Sequence, residues 1–437
     1  MKDIVIIGGG ISGLSAAFFL KKKGRDVLLL EKSDHLGGVM WSFEKDGYLL
    51  ESGPNTFMGL TPALKEMIEA VGLTQDLISP PPSSKKRYVY KAQKLHLLPL
   101  NPLHFFLKSS LLSLPGKLRL LKEPFILPSQ NSETIEAFFL RRLGKEVTYT
   151  LVDPFVSGIY AGDISKLSVE ACFPELYSLE KIYGSIIKGF LKRPKTTPKK
   201  DHTLYSFKKG LGQLPKALEK WFGKSVWENS QVTYLQKKEE GGFKLEVVSK
   251  EGTKTLETRS LILATPAYES AQLLQKIDPQ LATELLHVPY NALTVFHVGF
   301  LKKGIRHSLD GFGFLIPRSE QKKTLGVLWS SSLFQNRAPK DHVLLTVMAK
   351  GGTSSDEMML EVKSMLDIEN NPLFFHEKKY QHAIPQYELG HLKREHRIHE
   401  LIKNHVGLQV TGNFLGGVST VQCVEQGLKL GHCLEVR

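Results

Sequence analysis

Asp3-Ile4-Val5-Ile6-Ile7-Gly8-Gly9-Gly10-Ile11-Ser12-Gly13, an apolar helical stretch, and then Asp26-Val27-Leu28-Leu29-Leu30-Glu31 decide the fold. Within about thirty residues they spell a strand, a G-x-G-x-x-G turn, a helix and a second strand ending in a carboxylate. Gly8 and Gly10 let the backbone turn sharply and come close to a pyrophosphate. Gly13 lets helix and strand pack closely, and Ile11 and Ser12 open a helix whose unpaired N–H groups face the phosphates. Glu31 would accept from a ribose hydroxyl, with Lys32 beside it. An ordinary glycine-rich tight turn is the alternative reading, but strand, spacing and acid all agree on dinucleotide binding.

Lys32-Ser33-Asp34-His35-Leu36-Gly37-Gly38, followed by Ser42, narrows the choice of dinucleotide. This second glycine pair just after the acid resembles flavoproteins of the amine-oxidase and protoporphyrinogen-oxidase type, whose chain passes FAD a second time. The resemblance implies FAD, held non-covalently. That family commonly has Arg after the glycine pair; Val39 stands here, which withdraws the phosphate contact an arginine would make.

The 437 residues suit two or three interwoven units, and 41% hydrophobic residues with no long biased tract mark a globular chain. Met1 leads almost directly into the first strand, so a cytoplasmic location without a leader is expected. Cys172, Cys423 and Cys433 are too few and too scattered for a disulfide framework or a zinc site, and no metal is expected. Cys423 lies near a C-terminal glycine motif, yet covalent attachment of flavin is not the favoured reading. A net charge of +14 suits an anionic partner, whether a membrane or a carboxylate-bearing substrate. No nucleic-acid module is recognisable, so nucleic acid is not an expected partner.

Residues 60–79 read as a helix starting near Thr61-Pro62 and stopping at Gly72. After Pro80-Pro81-Pro82, Lys86–Tyr90 and Leu95–Leu98 read as a hairpin turning within Lys91–Lys94. Between Asn101 and Pro128, Leu103, Phe106, Leu107, Leu111 and Leu114 recur at helical spacing. Pro115-Gly116 interrupts, Leu118, Leu120 and Leu121 follow, and Lys108, Lys117, Arg119 and Lys122 are interspersed. Charges come too often for a membrane span, which needs about twenty mostly apolar residues. Two readings stay open: a basic amphipathic helix in a membrane interface, or a helical pair packed inward. Ser132–Glu136 outlines a capping box opening an amphipathic helix to residue 152. Val232–Leu235, Phe243–Val248 and Leu261–Pro266 read as successive strands that complete the dinucleotide unit.

Further passages carry the resemblance across nearly the whole chain. They are Glu51-Ser52-Gly53-Pro54-Asn55-Thr56-Phe57, Pro154-Phe155-Val156-Ser157-Gly158-Ile159-Tyr160-Ala161-Gly162-Asp163, Gly311-Phe312-Gly313-Phe314 and Gly412-Asn413-Phe414-Leu415-Gly416-Gly417-Val418-Ser419. Each is similar to a segment of the protoporphyrinogen oxidases. The fold so implied is α/β. It has a Rossmann-like, discontinuous FAD-binding domain of the amine-oxidase type (1–85, 205–265 and 395–437), a mixed-sheet substrate domain (86–100 with 266–394) and a helical membrane-associating domain (101–204).

The resemblance also implies roles. Gly53, Pro54, Asn55, Thr56, Val232, Gly412 and Asn413 join the glycines of the first two loops around FAD. Gly417, Val418 and Ser419 would offer backbone N–H groups to the reduced flavin. Arg87 matches the position whose guanidinium pairs with a propionate, the alternative being a surface arginine. Phe312 matches an aromatic stacking on a pyrrole ring, the alternative being core packing. Gly158 and Gly162 would form a side-chain-poor loop where macrocycle and isoalloxazine meet, or are only turn glycines. No acid-base group is assigned: His391 and His405 read as structural.

The implied activity is FAD-dependent, six-electron oxidation of protoporphyrinogen IX to protoporphyrin IX in heme biosynthesis, by three hydride transfers. Oxidation of coproporphyrinogen III is the nearest rival. A flavin amine oxidase or desaturase, or a flavin-free carrier of prenylated partners, stands further off. Peripheral contact with an anionic membrane on the inner face of the cytoplasmic membrane, a downstream heme-pathway enzyme and a homodimer complete the expected partners.

Overall fold

Every apolar residue of the opening strand Lys2–Ile7 is buried, because that strand lies in the middle of a seven-stranded sheet. In the computed structural model, which describes residues 2–99, 101, 109–193 and 201–433, it pairs in parallel with Val27–Leu30 on one side and the end of Gly252–Leu263 on the other. Val226–Trp227 and Leu408–Val410 add further parallel strands, and Gln231–Lys237, Phe243–Ser249 and Gly252–Leu263 form an antiparallel meander.

Alternate residues go to opposite faces of a strand. Ile4, Ile6 and Leu29 therefore meet the helices Ile11–Lys22, Gln213–Phe222 and Thr420–Cys433. Val5, Ile7, Leu28 and Leu30 meet Ala267–Leu274, Pro279–Leu286 and His391–Lys403 on the other face. Both faces covered is what makes the parallel core strands read as continuous apolar runs. The helices Ile11–Lys22 and Thr420–Cys433 lie in close contact. A Cβ on Gly427 would come within 2.4 Å of the Ser15 Cβ, so glycine there sets the approach.

A second seven-stranded sheet runs Phe374–Tyr380, Leu293–Leu301, His342–Lys350, Thr324–Leu328, Gly313–Leu315, Tyr88–Lys91, Lys94–Leu97. All neighbours are antiparallel except Gly313–Leu315 with Tyr88–Lys91. One face, with Phe296, Val298, Val327 and Leu345, is covered by the helix Ser355–Leu366. The other turns toward the first unit, where Tyr48 and Leu50 of the hairpin Ser42–Glu51 pack on Leu344 and Phe374.

Helices fill residues 114–192 around Phe138, Phe139, Val156 and Tyr160. At their centre the fully buried Arg142 reaches Glu123 and Glu180, both also fully buried.

Several local expectations are corrected. Thr134, not Ser132, caps the helix Ile135–Leu143, its hydroxyl accepting from the Ala137 N–H at 3.1 Å. That helix stops at Gly144, whose φ of 85° breaks the ladder, and a π-helical turn follows at Thr148–Val152. Pro115-Gly116 does not interrupt a helix but begins Leu114–Leu120, capped by Ser113, because proline's missing N–H is harmless in a first turn. The part of the amphipathic reading on Leu103, Phe106, Leu107 and Lys108 lies outside the described residues. The segment Ala267–Val288, assigned above to the substrate unit, packs on the first sheet, since Ala271, Leu274, Leu281 and Leu285 belong to that core. Among the described residues no helix is long and apolar enough to cross a membrane.

Candidate functional site

The two glycine loops fold onto each other. The Gly37 N–H donates to the Gly9 carbonyl at 2.8 Å, and Gly10 and Gly37 form a β-bridge. Gly8, at φ 107°, adopts a conformation that L side chains avoid, and a Cβ there would strike the Ala264 carbonyl at 2.8 Å. Gly13 is tighter still, its Cβ position lying 2.0 Å from the Gly8 oxygen. Gly10 differs in kind, because a Cβ there meets nothing within 4 Å. Its open side is a cradle at the N-terminus of the helix Ile11–Lys22, where first-turn amides lack intrahelical acceptors. These residues fit a pyrophosphate.

Glu31 is buried at the end of its strand, and its carboxylate accepts from the Gly9 N–H at 2.6 Å and from the Ser33 N–H at 2.8 Å. The Ser33 hydroxyl donates to the same oxygen as the Ser33 N–H, at 2.6 Å, so Glu31 braces the glycine turn while the oxygen that takes the Gly9 N–H keeps acceptor capacity for a ribose hydroxyl. Lys32 is engaged elsewhere, its ammonium 2.6 Å from Glu269. Val232 is a buried member of the first core, two residues past Ser230, whose N–H donates to the Glu31 carbonyl at 2.8 Å.

The loop Gly53–Thr56 lies against the second glycine pair, because a Cβ on Gly53 would come within 2.6 Å of the Val39 oxygen. Gly38, Val39, Ser52 and Trp41 form one wall of a cleft of about 330 Å³, with Tyr380 and His376 of the second sheet opposite. This is the size of a small-molecule site. The Tyr380 hydroxyl donates to the Ser52 carbonyl and ties the two walls together.

At the C-terminal motif the expectation that Gly417, Val418 and Ser419 all present free N–H groups is corrected. Tyr387 accepts from the Gly417 N–H at 3.0 Å, and Gln422 accepts from that of Ser419 at 3.1 Å. Among the described residues only Val418 of the three keeps an amide without a protein partner. Gly412 is buried, a Cβ there meeting the Phe414 ring at 2.6 Å, and the Asn413 carbonyl accepts from Tyr387 at 2.7 Å. Cys423 is buried in the following helix, and burial pushes its thiol up to about 11.

Two substrate candidates meet where two strands of the second sheet begin. Arg87 precedes the strand Tyr88–Lys91 and Phe312 precedes its parallel neighbour Gly313–Leu315, so the guanidinium lies over the Phe312 ring at 5.2 Å. Neighbouring cations are spoken for: Lys86 pairs with Asp310, and Arg318 is held by Asp153 and Asp163. No acid pairs with Arg87 among the described residues. Gly158 packs on the end of the same strand, where a Cβ would press within 2.9 Å of Leu315. Gly162 sits a turn away with its free side filled by Gln386, 2.2 Å from the Cβ position. These two glycines thus admit neighbouring side chains as well as shaping a loop.

His405 holds Asp278 at 2.9 Å, far from this constellation, and among the described residues no cluster could hold a metal. Residues that motif reading passed over are Asn291, Arg318, Gln386 and Tyr387, all of which grip the loops named above. Polar side chains among apolar neighbours in Ala383-Ile384-Pro385-Gln386-Tyr387 were the available signal.

The profile described as "Flavin containing amine oxidoreductase" matches residues 11–429. The chloroplastic protoporphyrinogen oxidase of Nicotiana tabacum is 34% identical over 463 residues, covering 97% of this chain and 83% of that protein. The coproporphyrinogen III oxidase of Bacillus subtilis (strain 168) is 28% identical over 464 residues, covering 98% and 96%. A solved structure from Exiguobacterium sp. 255-15 shares the fold with a TM-score of 0.82 at 22% identity, over 99% of this chain and 98% of that one.

Proposed function

The chain belongs to the flavin containing amine oxidoreductases, and within them to the protoporphyrinogen oxidases; from that premise we propose that it oxidises protoporphyrinogen IX to protoporphyrin IX in porphyrin biosynthesis. The observation that supports this reading is the guanidinium of Arg87, laid over Phe312 with no acid paired to it among the described residues. A planar fork suits a propionate bidentately, and the adjacent ring suits the apolar face of a pyrrole.

FAD, when bound by the glycine loops, supplies a two-electron oxidant, so removing six hydrogens takes three rounds. The residues of this chain bind and orient: Arg87 anchors a carboxylate, Phe312 lines the ring's face, and the helix bearing Gly158 closes one side. No acid-base dyad is assigned, because enamine–imine shifts within the macrocycle relocate its protons.

The test is anaerobic bleaching of the flavin absorbance by protoporphyrinogen and coproporphyrinogen in parallel. Faster bleaching by the dicarboxylate is expected. Faster bleaching by the tetracarboxylate would move the assignment to coproporphyrinogen III, which the Bacillus subtilis relative's name favours. A yellow protein bleached by neither would leave only the flavoprotein family.

Arg87→Ala should raise the substrate concentration for half-maximal bleaching roughly 10- to 100-fold, as befits a lost charge-assisted hydrogen bond of about 1.5–3 kcal/mol. Arg87→Lys should recover part of that, having the charge but not the fork. An unchanged concentration dependence in Arg87→Ala would remove the propionate role.

The same proposal includes peripheral attachment to an anionic membrane on the inner face of the cytoplasmic membrane. Phe125 and Leu127 are each 82% exposed and Leu191 is 79% exposed, with Lys117, Lys122, Lys188 and Lys192 near them in sequence. Exposed apolar side chains ringed by cations suit a lipid interface. Phe125→Glu with Leu127→Glu should lower co-sedimentation with phosphatidylglycerol vesicles at least fivefold while the flavin spectrum stays constant. Undiminished sedimentation would place the contact elsewhere. A homodimer and hand-over to a downstream heme-pathway enzyme belong to the same reading, and light scattering at working concentration tests the first.

A further inference from the structure

The helix Asp153–Tyr160 ends in a turn that three distant side chains grip by its carbonyls. Ala161, at φ 45°, forces that turn into the left-handed region, which a residue with a Cβ adopts only when its surroundings hold it there. Asn291 donates to the Tyr160 and Ala161 oxygens at 3.1 and 2.9 Å, and Arg318 donates to the Gly162 oxygen. Gln386 donates to the Tyr160 oxygen at 2.9 Å, its own carbonyl end filling the space beside Gly162.

The next residue grips the other side. The Tyr387 hydroxyl donates to the Asn413 carbonyl at 2.7 Å and accepts from the Gly417 N–H at 3.0 Å, bridging both ends of the C-terminal glycine loop. Its ring stacks on His391 at 3.9 Å and 12°, and burial keeps His391 neutral by pushing it down to about 4. Two adjacent residues therefore hold two loops that are some 250 positions apart in sequence but face the same site. Because successive side chains of an extended segment point in opposite directions, one dipeptide can reach both.

We infer that Gln386 and Tyr387 are positioning residues that rivet the Tyr160–Gly162 turn to the Asn413–Gly417 loop and so fix how substrate and flavin approach one another. The inference rests on the proposed function, in which the first loop borders the substrate and the second the flavin. Neither side chain is offered as a group that touches reacting atoms. Removing the Tyr387 hydroxyl leaves a part-buried carbonyl and a buried amide unpaired, which loosens the loop that also carries the free amide of Val418.

Tyr387→Phe, Gln386→Leu and the double variant are compared with wild type in the FAD-loaded full chain. Tyr387→Phe keeps the stack on His391 and so should fold. Expected are a lower flavin midpoint potential by dye-coupled dithionite reduction, a five- to tenfold weaker FAD retention in Tyr387→Phe, and at least a tenfold slower bleaching at saturating protoporphyrinogen with its half-saturation unchanged. The double variant should be no slower than the slower single one, since either change opens the same link. Variants with wild-type melting temperature, potential, retention and bleaching rate would overturn the inference. Multiplying effects in the double variant would also overturn it, because the two contacts would then act separately. Failure of the functional reading is distinguishable: a wild-type protein that holds FAD but is bleached by no porphyrinogen sinks that reading, while potential and FAD retention still decide on the rivet.

Discussion

A Gly13→Ala chain should purify without FAD. Its added methyl carbon would sit 2.0 Å from the Gly8 carbonyl oxygen and 3.1 Å from the Ala264 side chain. The first neighbour is backbone inside the turn itself, so relief requires the helix Ile11–Lys22 to move off its strand. Overpacking of this kind costs about 1–3 kcal/mol or more and distorts the phosphate cradle at the same time. Flavin absorbance per mole of purified protein is the measurement, with the melting temperature beside it. The informative contrast is Gly10→Ala, where the methyl enters open space. It should leave the apoprotein's melting temperature within about a degree and still weaken FAD binding at least tenfold, because the vacant side is where a pyrophosphate lies. A yellow Gly13→Ala protein with wild-type stoichiometry would refute the tight-turn argument, and undiminished binding in Gly10→Ala would move the pyrophosphate elsewhere.

The largest loss of stability is expected from Arg142→Met. Arg142 is fully buried and donates to Glu123 at 3.2 Å, to the Ile126 carbonyl at 2.9 Å, to the Gly184 carbonyl at 3.0 Å and to Glu180. Glu123 in turn accepts from Ser185 and from the Ile186 N–H at 2.9 Å, capping the helix Ile186–Lys192. Methionine fills similar volume but leaves the buried Glu123 without its cation and Glu180 with Arg141 alone. Breaking a buried ionic group this way costs about 3–5 kcal/mol. Denaturant unfolding should show that loss, and limited proteolysis should cut first between residues 121 and 131 and near residue 184, whose carbonyls Arg142 holds together with Glu123. Arg142→Met combined with Glu123→Gln and Glu180→Gln should recover part of the stability, because the unpaired charge is gone. A single variant within about 1 kcal/mol of wild type would mean that the carboxylates find other partners or take up protons without penalty.

These two predictions draw on different kinds of information. Gly13 was legible from spacing alone, since its constraint acts within ten residues and any chain with that turn obeys it. The same holds for the hairpin at Lys86–Leu98, the helix after Thr61 and the strands of the meander, where period and turn chemistry are local. Arg87 and Phe312 were named from resemblance, and the structure brings them within 5.2 Å of each other. The capping box at Ser132 is displaced because Thr134, two positions on, offers an equivalent hydroxyl, and which one caps depends on where the helix is packed. The supposed break at Pro115-Gly116 misled because proline stops a helix from inside but not at its first turn.

By itself, then, the sequence determined that a parallel strand–turn–helix unit with two glycine loops and a carboxylate would form, and that it would bind a dinucleotide, because each requirement is met by residues close along the chain. Only the tertiary structure decided which amides of the C-terminal loop remain free, which face Ala267–Val288 covers, that Arg142 closes a buried ionic centre and that Gln386 and Tyr387 join two loops. Those outcomes depend on contacts between segments tens to hundreds of residues apart, and no periodicity or spacing encodes which distant donor will satisfy a buried carbonyl.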